Sequence, residues 1–284
     1  MIRENIRKSL LNLPHPLNRG AKKLLDLYTY ISPRVRWLPR NIISIYIFRK
    51  YKDQTVDNLN IFERKIYSQN GEDGLIDAIF HRIGVTNKYC VEFGVENGSE
   101  CNTRYLIDKK GWEFLHMDSS ESVPNPIKTE FVTAENINAL FEKYGVPEKF
   151  DLLSIDVDSH DYWIWKALDK YNPRVVIIEY NSAIPVTEPK VLNPDPKILE
   201  KYTNSYRGGG AGLLSLDKLG KSKGYTLVAC EDKGINAFFV RDDLIKNEFI
   251  VKNIEDIYRP PSCGPKVNGI FTGYNLENEA TVLV

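Results

Sequence analysis

Residues Leu152 to Trp165 read LLSIDVDSHDYWIW, so three aspartates and a histidine directly follow an apolar run. Charges this close to a hydrophobic core are costly unless they are paired or hold something. Asp156 and Asp158 are spaced i, i+2 and on an extended chain would face the same side. Glu179 and Asn181 repeat that spacing after another apolar run, VVII. If the two runs are neighbouring strands, four oxygen-bearing side chains converge, a donor set suited to a hard divalent cation such as Mg2+. Such an ion would acidify and orient a bound hydroxyl. In a metal-free site, Asp158 or His160 would instead take the proton as general base. His160 is equally placed to cap the helix that starts here, and Asp161 reads more as a helix-start acid than as a ligand. Tyr162, Trp163 and Trp165 read as core or pocket wall.

A second stretch, VEFGVENGSECNT, has the strand, glycine turn and helix order in which backbone amides and a helix N-terminus meet a ligand. Its glycines are Gly94 and Gly98, without a strict GxGxxG, and Glu92 and Glu96 make the turn acidic. A pyrophosphate would be repelled by that charge, whereas the sulfonium and ammonium groups of S-adenosylmethionine would be attracted. Asp118 ends the next apolar run, 24 residues after Gly94 (118 − 94), where a carboxylate accepts both ribose hydroxyls in dinucleotide folds. Ser119 beside it and Asp156 across the sheet complete the cofactor side of the expected site.

The elements that must hold these residues alternate regularly from residue 68 onward. SQNGEDGLIDAIFHRIG reads as a helix, with Ser68 or Asn70 as cap and Gly84 as stop. The strands that follow are KYCVEFG, WEFLHMD, EFVTA, FDLLSIDV and RVVIIEYN, with helices SECNTRYLIDKKG, ENINALFEKYG and DYWIWKALDKY between them. After a proline-rich excursion and the RGGGAG loop come a helix, LLSLDKLGKSKG, and the strands YTLVAC and NAFFV, close enough to pair as a hairpin. Alternation of this kind calls for a doubly wound α/β sheet. YRGGGAG (Tyr206 to Gly212) lacks the Lys–Ser/Thr pair of a phosphate loop and suits a substrate-facing loop or a plain linker equally.

At this point the sequence resembles the FkbM-type class I S-adenosylmethionine-dependent methyltransferases. SQNGEDG, VEFGVENGSECNT, FDLLSIDVDSHDYW and PRVVIIEYN carry the likeness, which continues through GLLSLDKLGKSKGYTLV and GINAFFVRDDL and covers roughly Ser68 to Leu244. The resemblance implies a Rossmann-like class I methyltransferase fold: a mostly parallel seven-stranded sheet with an antiparallel terminal strand and helices on both faces. It also implies adenosylmethionine as cofactor and, often, O-methylation of a sugar or related hydroxyl. By that resemblance Glu92, Gly94 and Gly98 flank the methionine part and Asp118 the ribose, while TAENIN makes Glu135 or Asn136 the adenine contact. The domain reading is a basic arm with short helices over 1–60, the methyltransferase domain over 61–250, and a tail over 251–284 packing on it.

Charge bounds the rest. The chain of 284 residues is formally neutral, but residues 1–55 hold 12 Lys/Arg against 3 Asp/Glu, so the arm is +9 (12 − 3) and the remainder −9. The arm suits anionic lipid head groups or a lipid-linked glycan better than nucleic acid, or it is simply a solvated extension. No stretch approaches the ~20 apolar residues of a membrane span. The four scattered cysteines, without CxxC or a secretory signal, point to free thiols in a reducing, cytoplasmic setting, with peripheral membrane contact through the arm as an option. The acceptor is expected to be a small molecule or glycan. Two rival readings remain: Asp156-Val157-Asp158 as the DxD of a metal-dependent glycosyltransferase, and a non-catalytic RNA- or membrane-binding module on an inactive core.

Overall fold

The computed structural model describes residues 38–198, 210–274, 276 and 280–284, with side chains from 44 onward. Residues 1–37, and with them most of the basic arm, lie outside the described residues, as does the greater part of YRGGGAG. The chain divides into two compact units, Met1–Lys52 and Asp53–Val284. The described part of the first is helix α1 (Leu38–Tyr51). Its start was not expected, because SPRVRWLPRN reads as a break; Pro39 falls in the first turn, where its missing N–H has no helical partner to lose. Among the described residues no helix is long and apolar enough to cross a membrane.

The second unit is built on a seven-stranded sheet of order β3-β2-β1-β4-β5-β8-β7. The strands are β1 (Tyr89–Phe93), β2 (Glu113–Asp118), β3 (Lys128–Thr129), β4 (Leu152–Ile155), β5 (Val175–Glu179), β7 (Tyr225–Cys230) and β8 (Asn236–Arg241). β1 to β5 pair in parallel, and β8 is antiparallel to both β5 and β7. The fold is Rossmann-like, of the class I methyltransferase type that the sequence led us to expect, with the last strand in chain order inserted inside the sheet rather than at its rim. Central strands β4 and β5 are buried along almost their whole length, which is why they read as unbroken apolar runs. Phe93, Ile155, Ile178, Trp165 and Phe239 belong to one continuous core.

The α-helices of this unit that lie wholly within the described residues are α2 (Glu72–Ile83), α3 (Arg104–Lys110), α4 (Ile137–Lys143), α5 (Asp161–Ala167), α6 (Leu213–Ser222) and α7 (Ile254–Ile257). Two expectations about them and one about a strand are corrected. Neither Ser68 nor Asn70 caps α2; Gly71 holds that position without a side-chain bond. The two acids of its first turn instead tie down the preceding loop. Asp73 accepts the amides of Ile66, Tyr67 and Ser68, and Glu72 those of Asn70 and Gly71. α5 stops at Ala167 rather than running to Tyr171. The third strand is Lys128–Thr129, not EFVTA, because its partner β2 ends at Asp118 and offers Phe131 onward no ladder.

Segments read as excursion and tail also carry strands. β6 (Lys190–Leu192) pairs antiparallel with β11 (Thr281–Leu283), and β9 (Lys266–Val267) with β10 (Ile270–Phe271) across an Asn-Gly turn. At the amino ends of the parallel strands, Asp151 is fully buried. It accepts the amides of Thr86, Asn87 and Lys88, the Thr86 hydroxyl, and Arg174 Nη1 at 3.0 Å. Arg174 also donates to the carbonyls of Gly84 and Ile83, so both members of this buried pair are held by several bonds.

Candidate active site

A cleft of about 400 Å³ opens at the carboxyl ends of β1, β2, β4 and β5, where ligands of open α/β sheets bind. Its position follows from one close approach. Gly94 leaves β1 at φ +77, and a Cβ there would lie 1.4 Å from the carbonyl oxygen of Asp156. Only a residue without a side chain lets β1 and β4 end side by side. The turn beyond it is compact: Gly98 N donates to Val95 O at 2.8 Å, and Glu96 N donates to Asp118 Oδ2 at 2.7 Å.

Of the residues expected on the cofactor side, Glu92, Gly94, Glu96, Asp118, Ser119 and Asp156 line the cleft. Gly98 shapes the turn without lining it. Glu92 is buried, and its carboxylate accepts Asn102 N (2.8 Å), Thr103 N (2.9 Å) and the Thr103 hydroxyl (2.6 Å). It thus pins the start of α3 to the end of β1, and burial raises its pKa against the pull of those donors. Asp118 is half-buried; Oδ2 takes Glu96 N and Oδ1 takes Ser120 N at 2.8 Å, which fixes the carboxylate at the strand end.

The structure does not bring Glu135 and Asn136 to the cleft, whose wall there is Glu130, Phe131 and Val132. The Asn136 side chain is spent on the turn before α4, accepting Thr133 N and donating to Phe131 O, both at 2.8 Å.

On the acceptor side Asp156, Asp158, His160 and Glu179 line the cleft and Asn181 does not. Asn181 closes a turn instead, its Oδ1 accepting Ala183 N and its Nδ2 donating to Tyr274 O. Asp156 and Asp158 do meet, but not along an extended strand. β4 ends at Ile155, and Asp158 has φ +63, a left-handed conformation that folds the chain back. One carboxylate oxygen each from Asp156, Asp158 and Glu179 lie within 4.8 Å of one another. Burial, then the charges of Asp161 and Asp158, holds Asp156 well above the usual carboxylate range; burial, then Asp156 and Asp161, does the same for Glu179. Asp158 is raised by burial and by Asp118. His160 is lowered by burial, so its ring stays neutral near pH 7, and Nδ1 lies 2.7 Å from Ser159 Oγ. It occupies the cap position of α5 without making a side-chain cap bond. Asp161 does stand in the first turn of α5, fully buried, with Oδ1 accepting Val157 N at 2.9 Å. Tyr162 and Trp165 are core.

Cleft residues that sequence reasoning missed are Gln69, Asn102, Asn236 and Phe131. Gln69 lies in SQNGEDG, a motif read only as a helix start. Asn236 is opposite Glu179 in the β5–β8 ladder, and its Nδ2 donates to Glu72 at 3.0 Å. Among the described residues, eight that line the cleft are Asp or Glu, one is histidine, and none is Lys or Arg. Such a surface attracts cationic and hydroxyl-rich ligands and repels free phosphates.

No protein-family model matches the sequence, and no curated protein does. Among solved structures the chain is similar to a SAM-dependent methyltransferase from Archaeoglobus fulgidus, with 15% identity over 57% of this chain and 73% of that one, at a TM-score of 0.33. It is also similar to the small RNA methyltransferase HEN1, with 14% identity over 59% of this chain and 25% of that one, TM-score 0.31. A third is the CMeT domain of the citrinin polyketide synthase, with 10% identity over 74% and 57%, TM-score 0.33.

Proposed function

We propose that this chain is an S-adenosylmethionine-dependent methyltransferase of the FkbM type that methylates a hydroxyl of a sugar, glycan or similar polyhydroxylated acceptor. The observation that carries the reading is the acid-lined cleft at the strand ends, with Asp118 closing β2 and Gly94 admitting the backbone of β4. The residues present fit this cofactor. Asp118, oriented by the amides of Glu96 and Ser120, would accept the two ribose hydroxyls on its remaining lone pairs, and Glu96 and Asp156 would offer negative charge to the sulfonium and ammonium groups. Glu92 acts one step behind, keeping the turn and α3 in register.

Adenosylmethionine, when bound, supplies the methyl group and departs as the neutral thioether. The chain's own task is then to orient an acceptor hydroxyl and take its proton. Asp158 is exposed at the cleft and, with its pKa raised, a better base than an ordinary aspartate. His160 is the second acceptor: in the tautomer whose Nδ1–H donates to Ser159 Oγ, Nε2 is the atom that receives a proton.

The test is calorimetric titration of the full chain with S-adenosylhomocysteine. Saturable binding is expected, and Asp118→Asn should weaken it by roughly ten- to a hundredfold, the worth of one charge-assisted hydrogen bond. No binding at millimolar ligand, together with tight binding of a UDP-sugar in the presence of Mn2+, would replace this reading with the DxD glycosyltransferase.

A further inference from the structure

Helix α1 has 14 residues, about 21 Å of length, well short of the ~30 Å hydrocarbon core of a bilayer. Four residues in a row, Ile45, Tyr46, Ile47 and Phe48, are apolar or aromatic. At 3.6 residues per turn, four consecutive side chains face every side of a helix, unlike the single stripe of a helix packed on a core. Covering one side therefore leaves another open. Ser44 and Tyr51 are buried, whereas Ile45 and Tyr46 are 40% and 46% exposed.

That exposed apolar pair is continuous with exposed cations. Arg49 follows Ile45 and Lys50 follows Tyr46 at the i, i+4 spacing that puts each pair on one helix face, and both basic residues are exposed. Lys50 Nζ lies 5.5 Å from the centre of the Tyr46 ring and 5.1 Å from that of Tyr51. The surrounding sequence has the same character. From residue 27 to residue 52 it carries Arg34, Arg36, Arg40, Arg49, Lys50 and Lys52 and no Asp or Glu. A helix evolved for water intersperses acids with its bases. Nucleic acid would also attract these cations but has no use for an exposed isoleucine. Aliphatic side chains flanked by tyrosine and by Lys or Arg match the boundary between lipid head groups and acyl chains.

We propose that α1 is an interfacial membrane-binding helix. Ile45 and Tyr46 enter the acyl boundary of an anionic bilayer, and Arg49, Lys50 and the basic residues of the flanking sequence engage its phosphate head groups. The inference uses no feature of the cleft and does not depend on the methyltransferase reading.

The experiment is co-sedimentation of the full chain with vesicles of phosphatidylcholine alone and of equimolar phosphatidylcholine and phosphatidylglycerol. Binding to the anionic vesicles is expected at low salt, with little to the neutral ones, and should fall steeply as sodium chloride rises to about 0.5 M. Each Lys or Arg near such a surface is worth about fivefold in partitioning, so Arg49→Gln combined with Lys50→Gln should weaken binding about twentyfold. Ile45→Ser combined with Tyr46→Ser should weaken it about tenfold. Lys149→Gln combined with Lys170→Gln removes the same charge from exposed positions of the second unit and should leave binding within about twofold. Circular-dichroism melts verify that each variant is folded. No co-sedimentation with anionic vesicles at low salt would overturn the proposal. So would equal losses in the α1 and second-unit lysine variants, or unchanged binding after the Ile45 and Tyr46 substitutions. Retention by single-stranded RNA with none by the vesicles would assign the basic segment to nucleic acid instead.

Discussion

Replacing Gly94 by alanine tests the one contact on which the cleft depends. The added methyl would sit 1.4 Å from Asp156 O and 2.7 Å from its carbon, whereas real Cβ atoms essentially never come within 3.0 Å. Both offending atoms are backbone, so no rotamer relieves the clash, and β1 and β4 must separate by about 1.6 Å, the shortfall from that 3.0 Å limit. The substitution also places a side chain at φ +77, which costs about 1–2 kcal/mol by itself. Forcing apart a packed interface adds about 1–3 kcal/mol, and the Gly94 N to Met117 O bond (3.0 Å) adds about 1 kcal/mol more if it breaks. The expected loss is therefore about 3–6 kcal/mol, a large share of a domain's ~5–15 kcal/mol.

Gly111→Ala is the matched control. Gly111 has φ +68 after α3, but nothing lies within 4 Å of its Cβ position, so only the backbone strain remains. Urea unfolding of wild type and both variants gives the comparison. Gly94→Ala should be less stable than Gly111→Ala by at least about 2 kcal/mol, and the folded fraction should have lost nucleoside binding because Asp156 has moved. Equal stabilities within about 0.5 kcal/mol, with binding intact, would show that the close approach does not exist.

Two further outcomes are expected. Asp151→Ala leaves Arg174 buried without its charge partner and strands three backbone amides; urea unfolding should show a loss of about 3–5 kcal/mol. The site lies at the other end of the strands, so nucleoside affinity of the folded protein should change little; a loss under about 1 kcal/mol would mean that the pair is no more than a surface ion pair. Burial pushes Glu231, in the turn between β7 and β8, from 4.5 up to about 7. A raised folded pKa means that the folded state holds the proton more tightly, so its contribution is complete below about pH 4.5 and is lost as pH rises through 7. That contribution, about 3 kcal/mol at about 1.4 kcal/mol per pH unit, should disappear in Glu231→Gln. The difference in stability between pH 5 and pH 8 should be correspondingly smaller than in wild type; an unchanged difference would remove Glu231 from the argument.

Much of the fold was legible because the parallel strands are buried on both faces and α2 and α3 end at glycines. Gly84 and Gly111 close α2 and α3 where the sequence put them. What escaped notice depended on distant pairing or on backbone turned out of register. β6 is three residues in a proline-rich stretch and exists because β11, some ninety residues on, lies beside it. The Asn268-Gly269 pair is a local hairpin signal, and the chain does turn there, within what otherwise reads as an undivided tail. At the site, the meeting of Asp156 with Asp158 and Glu179 was anticipated from a two-residue spacing, yet it is produced by a left-handed residue after a shorter strand. Asn181 followed the same spacing rule and was wrongly included, since the chain turns at Tyr180–Ala183. Gln69 and Asn236 reach the cleft from segments far away in sequence, a placement no local pattern encodes.

The insertion of β8 between β5 and β7 has a consequence for how the chain must be assembled. Val175 pairs with Val240, 65 positions downstream (240 − 175), while the β4 partner of β5 lies only some twenty positions upstream. Until β8 is threaded in, β5 offers a bare edge that is apolar up to Glu179, and Glu179 at its tip has not yet acquired the neighbour Asn236. Pairings of such long range close late, and open strand edges recruit one another in the interval. The same strand that completes the chemical wall of the cleft is thus the one whose tardiness exposes the nascent molecule to self-association.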